Sequence, residues 1–198
     1  MHVQSHQKEL ILASTSPYRQ SLLSRLCIPF ICRAPETDET PLPDEAVDAF
    51  TSRLAEAKAA AVADDFPDAV VIGSDQAAGF EGHILGKPGT EQAAIQRLMR
   101  FSGKEVEFFT SVSVLCRSTG FSRNATDLTT VCFRDLGEAE IRRYVEMDQP
   151  LNCAGGFKSE AAGPALLSAI HCTDPTGLIG LPLIALSALL RDAGFHIP

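Results

Sequence analysis

The chain has 198 residues, 45% of them hydrophobic, and a formal net charge of -8. That is apolar material enough for one sizeable core, and the acidic balance argues against a protein that neutralises the backbone of a nucleic-acid polymer. No apolar run approaches the length needed to span a bilayer, and the polar start lacks the apolar stretch of a secretory signal, so we expect one cytoplasmic domain over 1–198, with 1–9 as a flexible extension and no membrane contact.

Leu10-Ile11-Leu12-Ala13 is a short apolar run that predicts a buried strand, and Ser14-Thr15-Ser16-Pro17 predicts a turn into a helix with Pro17 in first place. Leu22, Leu23 and Leu26 recur at helical spacing, which carries that helix to about Leu26 and leaves its first amides beside Ser14 and Ser16 as an anion site. From Pro43 to Phe66, Val47, Phe50, Leu54 and Ala61 keep the rhythm of a long helix that includes Lys58. Ala69 to Gly73 is a β-branched run too short for a helix and reads as a buried strand, with Asp75 just past its end.

Thr90 predicts a cap for a helix whose buried stripe is Ile95, Leu98 and Met99, stopped by Ser102-Gly103. Val106, Phe108, Thr110, Val112 and Val114 alternate as one or two half-buried strands, Leu128 to Phe133 as another, with a hairpin around Ser118 to Asn124. Glu138 to Met147 places Ile141, Tyr144 and Val145 on one helical face, and Pro182 to Ala193 is apolar almost all round before Gly194 stops it. This order predicts α/β architecture with a mixed sheet. The six scattered cysteines form no C-x-x-C pair and read as reduced core residues, while His2, His6, His83, His171 and His196 show no metal-ligand spacing.

Polar residues gather at predicted strand ends and in glycine-rich loops, where α/β sheets place their ligands. Asp75 follows Val70-Val71-Ile72, where a carboxylate is costly unless solvated, paired or metal-bound; it is a candidate base or metal ligand, or else a turn cap. Arg19 opposes the helix dipole in its first turn, which either an anionic ligand or a carboxylate on a neighbouring loop relieves. Lys87, between Gly86 and Pro88, offers a cation on a stiff turn or is an ordinary exposed lysine, and Glu39 in Glu36–Thr40 is a site carboxylate or a solvated loop acid. Phosphoryl transfer asks for cations, amides, carboxylates and a placed water, and these segments together supply them.

Leu-Ile-Leu-Ala-Ser-Thr-Ser-Pro-Tyr-Arg (10–19), Asp-Glu-Thr (38–40), Ile-Gly-Ser-Asp-Gln (72–76), Leu-Gly-Lys-Pro (85–88), Phe-Ser-Gly-Lys (101–104) and Gly-Leu-Pro (180–182) resemble the motifs of the Maf family, in family order. The resemblance implies an α/β fold related to inosine-triphosphate pyrophosphatases, with a cleft between two lobes, a homodimer, and cleavage of a nucleoside triphosphate to its monophosphate and pyrophosphate. It makes Asp75 the catalytic carboxylate, Ser14, Arg19, Lys58 and Lys87 phosphate contacts, and Glu39 with Asp75 the ligands of Mg²⁺ or Mn²⁺. Gln20 stands where many relatives have a second arginine. Tyr18, Gln76 and Glu160 resemble the subgroup acting on 7-methyl-GTP, and Lys158 is expected near the phosphates or Glu160. A methylated, positively charged guanine suits stacking on Tyr18 and pairing with Glu160, with Gln76 offering donor and acceptor. The alternatives are a family member acting on dTTP, UTP or another modified nucleotide, and a nucleotide-binding regulator of cell division.

Overall fold

Because every residue of Leu10–Ala13 (β1) is apolar, the strand can be buried on both faces, and it is. Its neighbours are Ile31–Arg33 (β2) and Val70–Phe80 (β3), both parallel to it. Glu105–Cys116 (β5), Phe121–Phe133 (β6) and Leu167–Cys172 (β7) continue the sheet antiparallel, in the order β2-β1-β3-β5-β6-β7, and His83–Leu85 (β4) pairs only with β3. The computed structural model describes residues 8–197. Most of the expected extension and both His2 and His6 lie outside them, but Glu9 is already tied to the sheet, its carbonyl accepting Val70 N–H at 2.9 Å.

Among the described residues five α-helices cover the sheet: Pro17–Ser24 (α1), Val47–Ala63 (α2), Glu91–Phe101 (α3), Glu138–Asp148 (α4) and Leu183–Asp192 (α5). One face carries α2, whose Ala59 and Val62 pack on Ile11 and Val71. The other face divides. At one end Leu12, Ile72 and Val112 meet Leu22 and Leu23 of α1 and Leu186 and Leu190 of α5. At the other, Ala78, Phe108 and Val131 meet Leu98 and Phe101 of α3 and Ile141 and Val145 of α4. This face therefore carries two separate apolar clusters. No helix among the described residues is long and apolar enough to cross a membrane.

Several expectations need correction. β3 does not stop at Gly73 but runs 11 residues, because β5 pairs with it from Val71 to Gly79 and satisfies its backbone through the polar stretch. Asp75 therefore sits inside a strand. Of the one or two strands expected from Val106 to Val114, one forms, β5, with 12 residues, and the hairpin turn is confined to Arg117–Gly120, where Gly120 has φ +66°. Met99 is 48% exposed; Ala94 and Phe101 complete the buried stripe of α3 instead. α1 ends at Ser24, before Leu26, and Ile184 of α5 faces outward. Only Cys116 of the cysteines is buried, while Cys27 and Cys172 are exposed, though all six are free thiols.

Gly73 is where α2 and the sheet come closest. A Cβ there would strike the Ala55 carbonyl oxygen and lie 2.6 Å from Ala59 N, both backbone atoms of α2. Gly73→Ala is expected to destabilise the chain by about 2–3 kcal/mol through overpacking, read as a lower urea midpoint; an unchanged midpoint would mean that α2 slides freely on the sheet.

Candidate active site

β1 pairs with one edge of β3 only as far as Gly73, and β4 takes up the same edge from Ala78. Ser74 to Ala77 therefore pair on their other edge alone, with β5. The notch begins at the carboxyl end of β1, the side on which open α/β sheets bind ligands. Strand alternation sends neighbouring side chains to opposite faces. Asp75 faces α2, whereas Ser74 and Gln76 face the Gly177–Gly180 loop that leads to α5.

On the α2 side Lys58 is buried, and its Nζ lies 2.6 Å from Asp75 Oδ1 and 2.7 Å from Glu39 Oε1. One ammonium bridges two carboxylates, which answers the desolvation problem posed by Asp75. The two acids nonetheless diverge. Burial pushes Asp75, 7% exposed, above the usual aspartate range despite Lys58 and Arg19. Glu39 also loses some solvation, but it is more open, and Lys58, Lys87 and Arg19 together hold it below its ordinary value. Opposite shifts in neighbouring carboxylates are a pattern of acid–base sites.

Arg19 belongs to this charge cluster. Burial lowers its pKa while Asp75 and Glu39 draw it back up. It makes no ion pair within 4 Å among the described residues; its Nε donates to Gly180 O at 2.9 Å, the oxygen that also accepts the Ser74 hydroxyl at 3.1 Å. The first amides of α1 are partly used internally, Ser16 N–H donating to Ser14 Oγ at 3.1 Å and Arg19 N–H to Ser16 Oγ at 3.4 Å. Lys87 is exposed on the segment between β4 and α3, which is pinned by Arg97 to the Gly86 carbonyl at 2.5 Å and by Gly89 N–H to the Leu151 carbonyl at 2.9 Å. Its charge reaches Glu39 on one side and Cys153 on the other.

The other candidates are less closely joined. Gln76 Nε2 donates to Thr110 Oγ1 at 2.9 Å and to the Gly177 and Leu178 carbonyls at 3.0 Å each. Since a carbonyl only accepts, this fixes the amide orientation and commits its donor side to the protein, leaving the acceptor for any ligand. Tyr18 is 37% exposed on α1, and Glu160 is exposed with Ser159 Oγ 3.4 Å from Oε2. The Lys158 ammonium does not turn to Glu160; it donates to the Asp148 carbonyl at the end of α4, where the helix dipole favours a cation. Among the described residues no hydrogen bond or ion pair joins Tyr18, Glu160 or Lys158 to the Asp75 cluster.

The carboxylates of Asp75 and Glu39 already converge on one cation, and no group of three His, Cys, Asp or Glu side chains among the described residues forms a fuller cage. Two hard oxygen donors without nitrogen or sulfur suit Mg²⁺ or Mn²⁺ completed by water and substrate phosphates, not a protein-enclosed structural ion. Sequence reasoning gave no site role to Thr110, Asp127 or the loop from Asp174 to Ile179. Only the Asp174-Pro175 pair carried a local signal, that of a turn.

An open mixed sheet, with Arg19 and a lysine-bridged carboxylate pair at its notch, defines an α/β protein with a charged site at the centre of its sheet. A Ham1 protein from Staphylococcus aureus has a similar fold, with TM-score 0.55, 14% identity, and coverage of 94% of this chain and 100% of that one. The Maf-like protein family matches residues 9–193, and the chain belongs to that family. A relative in Xanthomonas oryzae pv. oryzae is 53% identical over 96% of this chain and 98% of its own length, and one in Aromatoleum aromaticum 52% identical over the same shares; both bear the name 7-methyl-GTP pyrophosphatase.

Proposed function

We propose that this chain hydrolyses 7-methyl-GTP to 7-methyl-GMP and pyrophosphate, as a cytoplasmic, homodimeric enzyme. The observation that carries the reading is the Asp75–Lys58–Glu39 bridge at the notch, in a chain about half identical to proteins with that name. Arg19, Lys58 and Lys87 receive the triphosphate, with Ser14 holding the turn before α1. Lys58 donates to Oδ1 of Asp75, which leaves the carboxylate's other oxygen for a water. That water's oxygen bonds to the α-phosphorus, its proton passes to Asp75, and the bond from the α-phosphorus to the α–β bridging oxygen breaks, so that pyrophosphate leaves with that oxygen. Glu39 and Asp75 would hold a divalent cation, which when bound supplies charge neutralisation on the phosphates.

Base choice follows from charge. N7 methylation makes guanine cationic, which favours the ring face of Tyr18 and the carboxylate of Glu160 over what neutral GTP gains from either. The Gln76 acceptor, fixed by three hydrogen bonds, suits a base N–H. With Mg²⁺ or Mn²⁺ present, pyrophosphate release from 7-methyl-GTP is expected to exceed that from GTP, dTTP and UTP. Glu160→Gln is expected to lower kcat/KM for 7-methyl-GTP by about tenfold with GTP little changed. A preference for dTTP or UTP would overturn the assignment of the base, and absence of turnover on all four would replace hydrolysis by nucleotide sensing.

A further inference from the structure

The loop from Asp174 to Leu183 touches more of the site than any helix does. Its Gly177 and Leu178 carbonyls orient Gln76, and Gly177 O also accepts Thr110 Oγ1 at 2.9 Å. Its Gly180 carbonyl accepts from both Arg19 and Ser74. Base-facing and phosphate-facing residues are thus aimed by carbonyls three residues apart on one strap. Such carbonyls aim a side chain only if the strap has a single conformation.

That conformation is held by one acid. Asp174, 2% exposed, accepts Thr176 N–H at 2.9 Å and Thr176 Oγ1–H at 2.6 Å on one oxygen, and Ile184 N–H at 2.6 Å on the other. Thr176 Oγ1 in turn accepts Leu183 N–H at 2.8 Å, closing the loop on the first turn of α5. The Thr176 carbonyl receives the N–H groups of Ile179 and Gly180 at 3.2 and 3.3 Å. On its far side the strap rests on β6, where Asp127 lies so close to Gly177 that any Cβ there would strike its carboxylate. The carboxylate of Asp174 is therefore spent on backbone and hydroxyl donors, out of reach of a ligand.

We infer that Asp174 is a positioning residue for base selection and phosphate contact, acting through the Gly177, Leu178 and Gly180 carbonyls on Gln76 and Arg19. The inference rests on the pyrophosphatase reading for its assay but not on which base is preferred. Asp174→Asn replaces an acceptor with an amide that cannot receive all three donors, and the strap loosens.

The test is steady-state kinetics of the full chain with Mg²⁺, comparing wild type, Asp174→Asn, Gln76→Ala and the double variant on 7-methyl-GTP and GTP. Asp174→Asn is expected to reduce the ratio of kcat/KM values for the two nucleotides by about tenfold and to raise KM for both. In the Gln76→Ala background the further change in that ratio is expected to vanish, since the same contact is lost twice. Thr176→Val, which keeps the carboxylate but removes the hydroxyl that links it to Leu183 N–H, is expected to repeat the pattern, and Thr176→Ser to restore it; these serve if Asp174→Asn fails to fold. Losses confined to kcat and equal on both nucleotides, with KM and the ratio unchanged in either background, would reduce Asp174 to a structural cap and overturn the inference. If wild type hydrolyses both but prefers neither, the base assignment fails by itself, and the rise in KM through Arg19, absent or present, still decides the role of Asp174.

Discussion

Asp75→Asn is expected to lower kcat/KM by about a thousandfold, the scale of losing a positioned base, while the chain stays folded. The substitution keeps the shape of a side chain in mid-strand and leaves Lys58 paired with Glu39 at 2.7 Å. Stability should not fall at neutral pH. Burial raises the folded-state pKa of Asp75 above its ordinary value, so between those two values the folded chain holds the proton more tightly than the unfolded one. Stability from this group is full below the ordinary value and declines as pH rises through the raised one, so at neutral pH the ionised form is a burden that Asn removes. The same shift places the acidic limb of kcat/KM for the wild type above the usual aspartate range. Pyrophosphate release and a thermal melt measured side by side decide the matter: activity within tenfold of wild type would take the proton-accepting role away from Asp75.

Lys58→Met tests the bridge from its other end. Methionine takes the place of the apolar stem on α2 but leaves the buried Asp75 carboxylate and Glu39 facing each other without the ammonium that bridges them. Removing one partner of a buried pair costs about 3 kcal/mol or more, and here the loss should depend on pH. Without Lys58 the like charge of Glu39 and the burial of Asp75 both push the Asp75 pKa further up. The penalty is then largest at neutral pH, where Asp75 must ionise, and shrinks as pH falls through the raised pKa and the proton restores neutrality. Urea midpoints at pH 5 and pH 8 read this directly. Equal losses at both would mean that Lys58 matters for packing and not for charge. Turnover at neutral pH should fall by about a hundredfold, because a phosphate contact and the orientation of Asp75 go together.

Much of this was legible in the chain. Leu10–Ala13 and Val70–Gly73 announce themselves as strands because burial on both faces demands uninterrupted apolar residues. Pro17 and Thr90 mark helix starts because a missing N–H and a side-chain acceptor suit the first turn whatever surrounds it. Ordered motifs around Ser14, Arg19, Glu39, Asp75 and Lys87 announced the family. These are properties of residues acting alone or on near neighbours, and so the sequence by itself determined them.

What it did not determine was geometry between distant segments. Ser74-Asp75-Gln76 looks like a loop because its polarity offers no reason to be buried; β5 supplies that reason by pairing along it, and period-two alternation then sends Asp75 to Lys58 and Gln76 to Gly177. Lys158 is expected near the phosphates or Glu160, yet its ammonium donates to the Asp148 carbonyl at the end of α4. Asp174 gave no functional sign, since its importance lies in which carbonyls it leaves pointing at Gln76 and Arg19. Hydrogen bonds and the pairing of buried charges depend on separations of a few ångströms. Spacing along a chain does not encode separation across a fold, and so only the tertiary structure decided which of the candidate residues form the site.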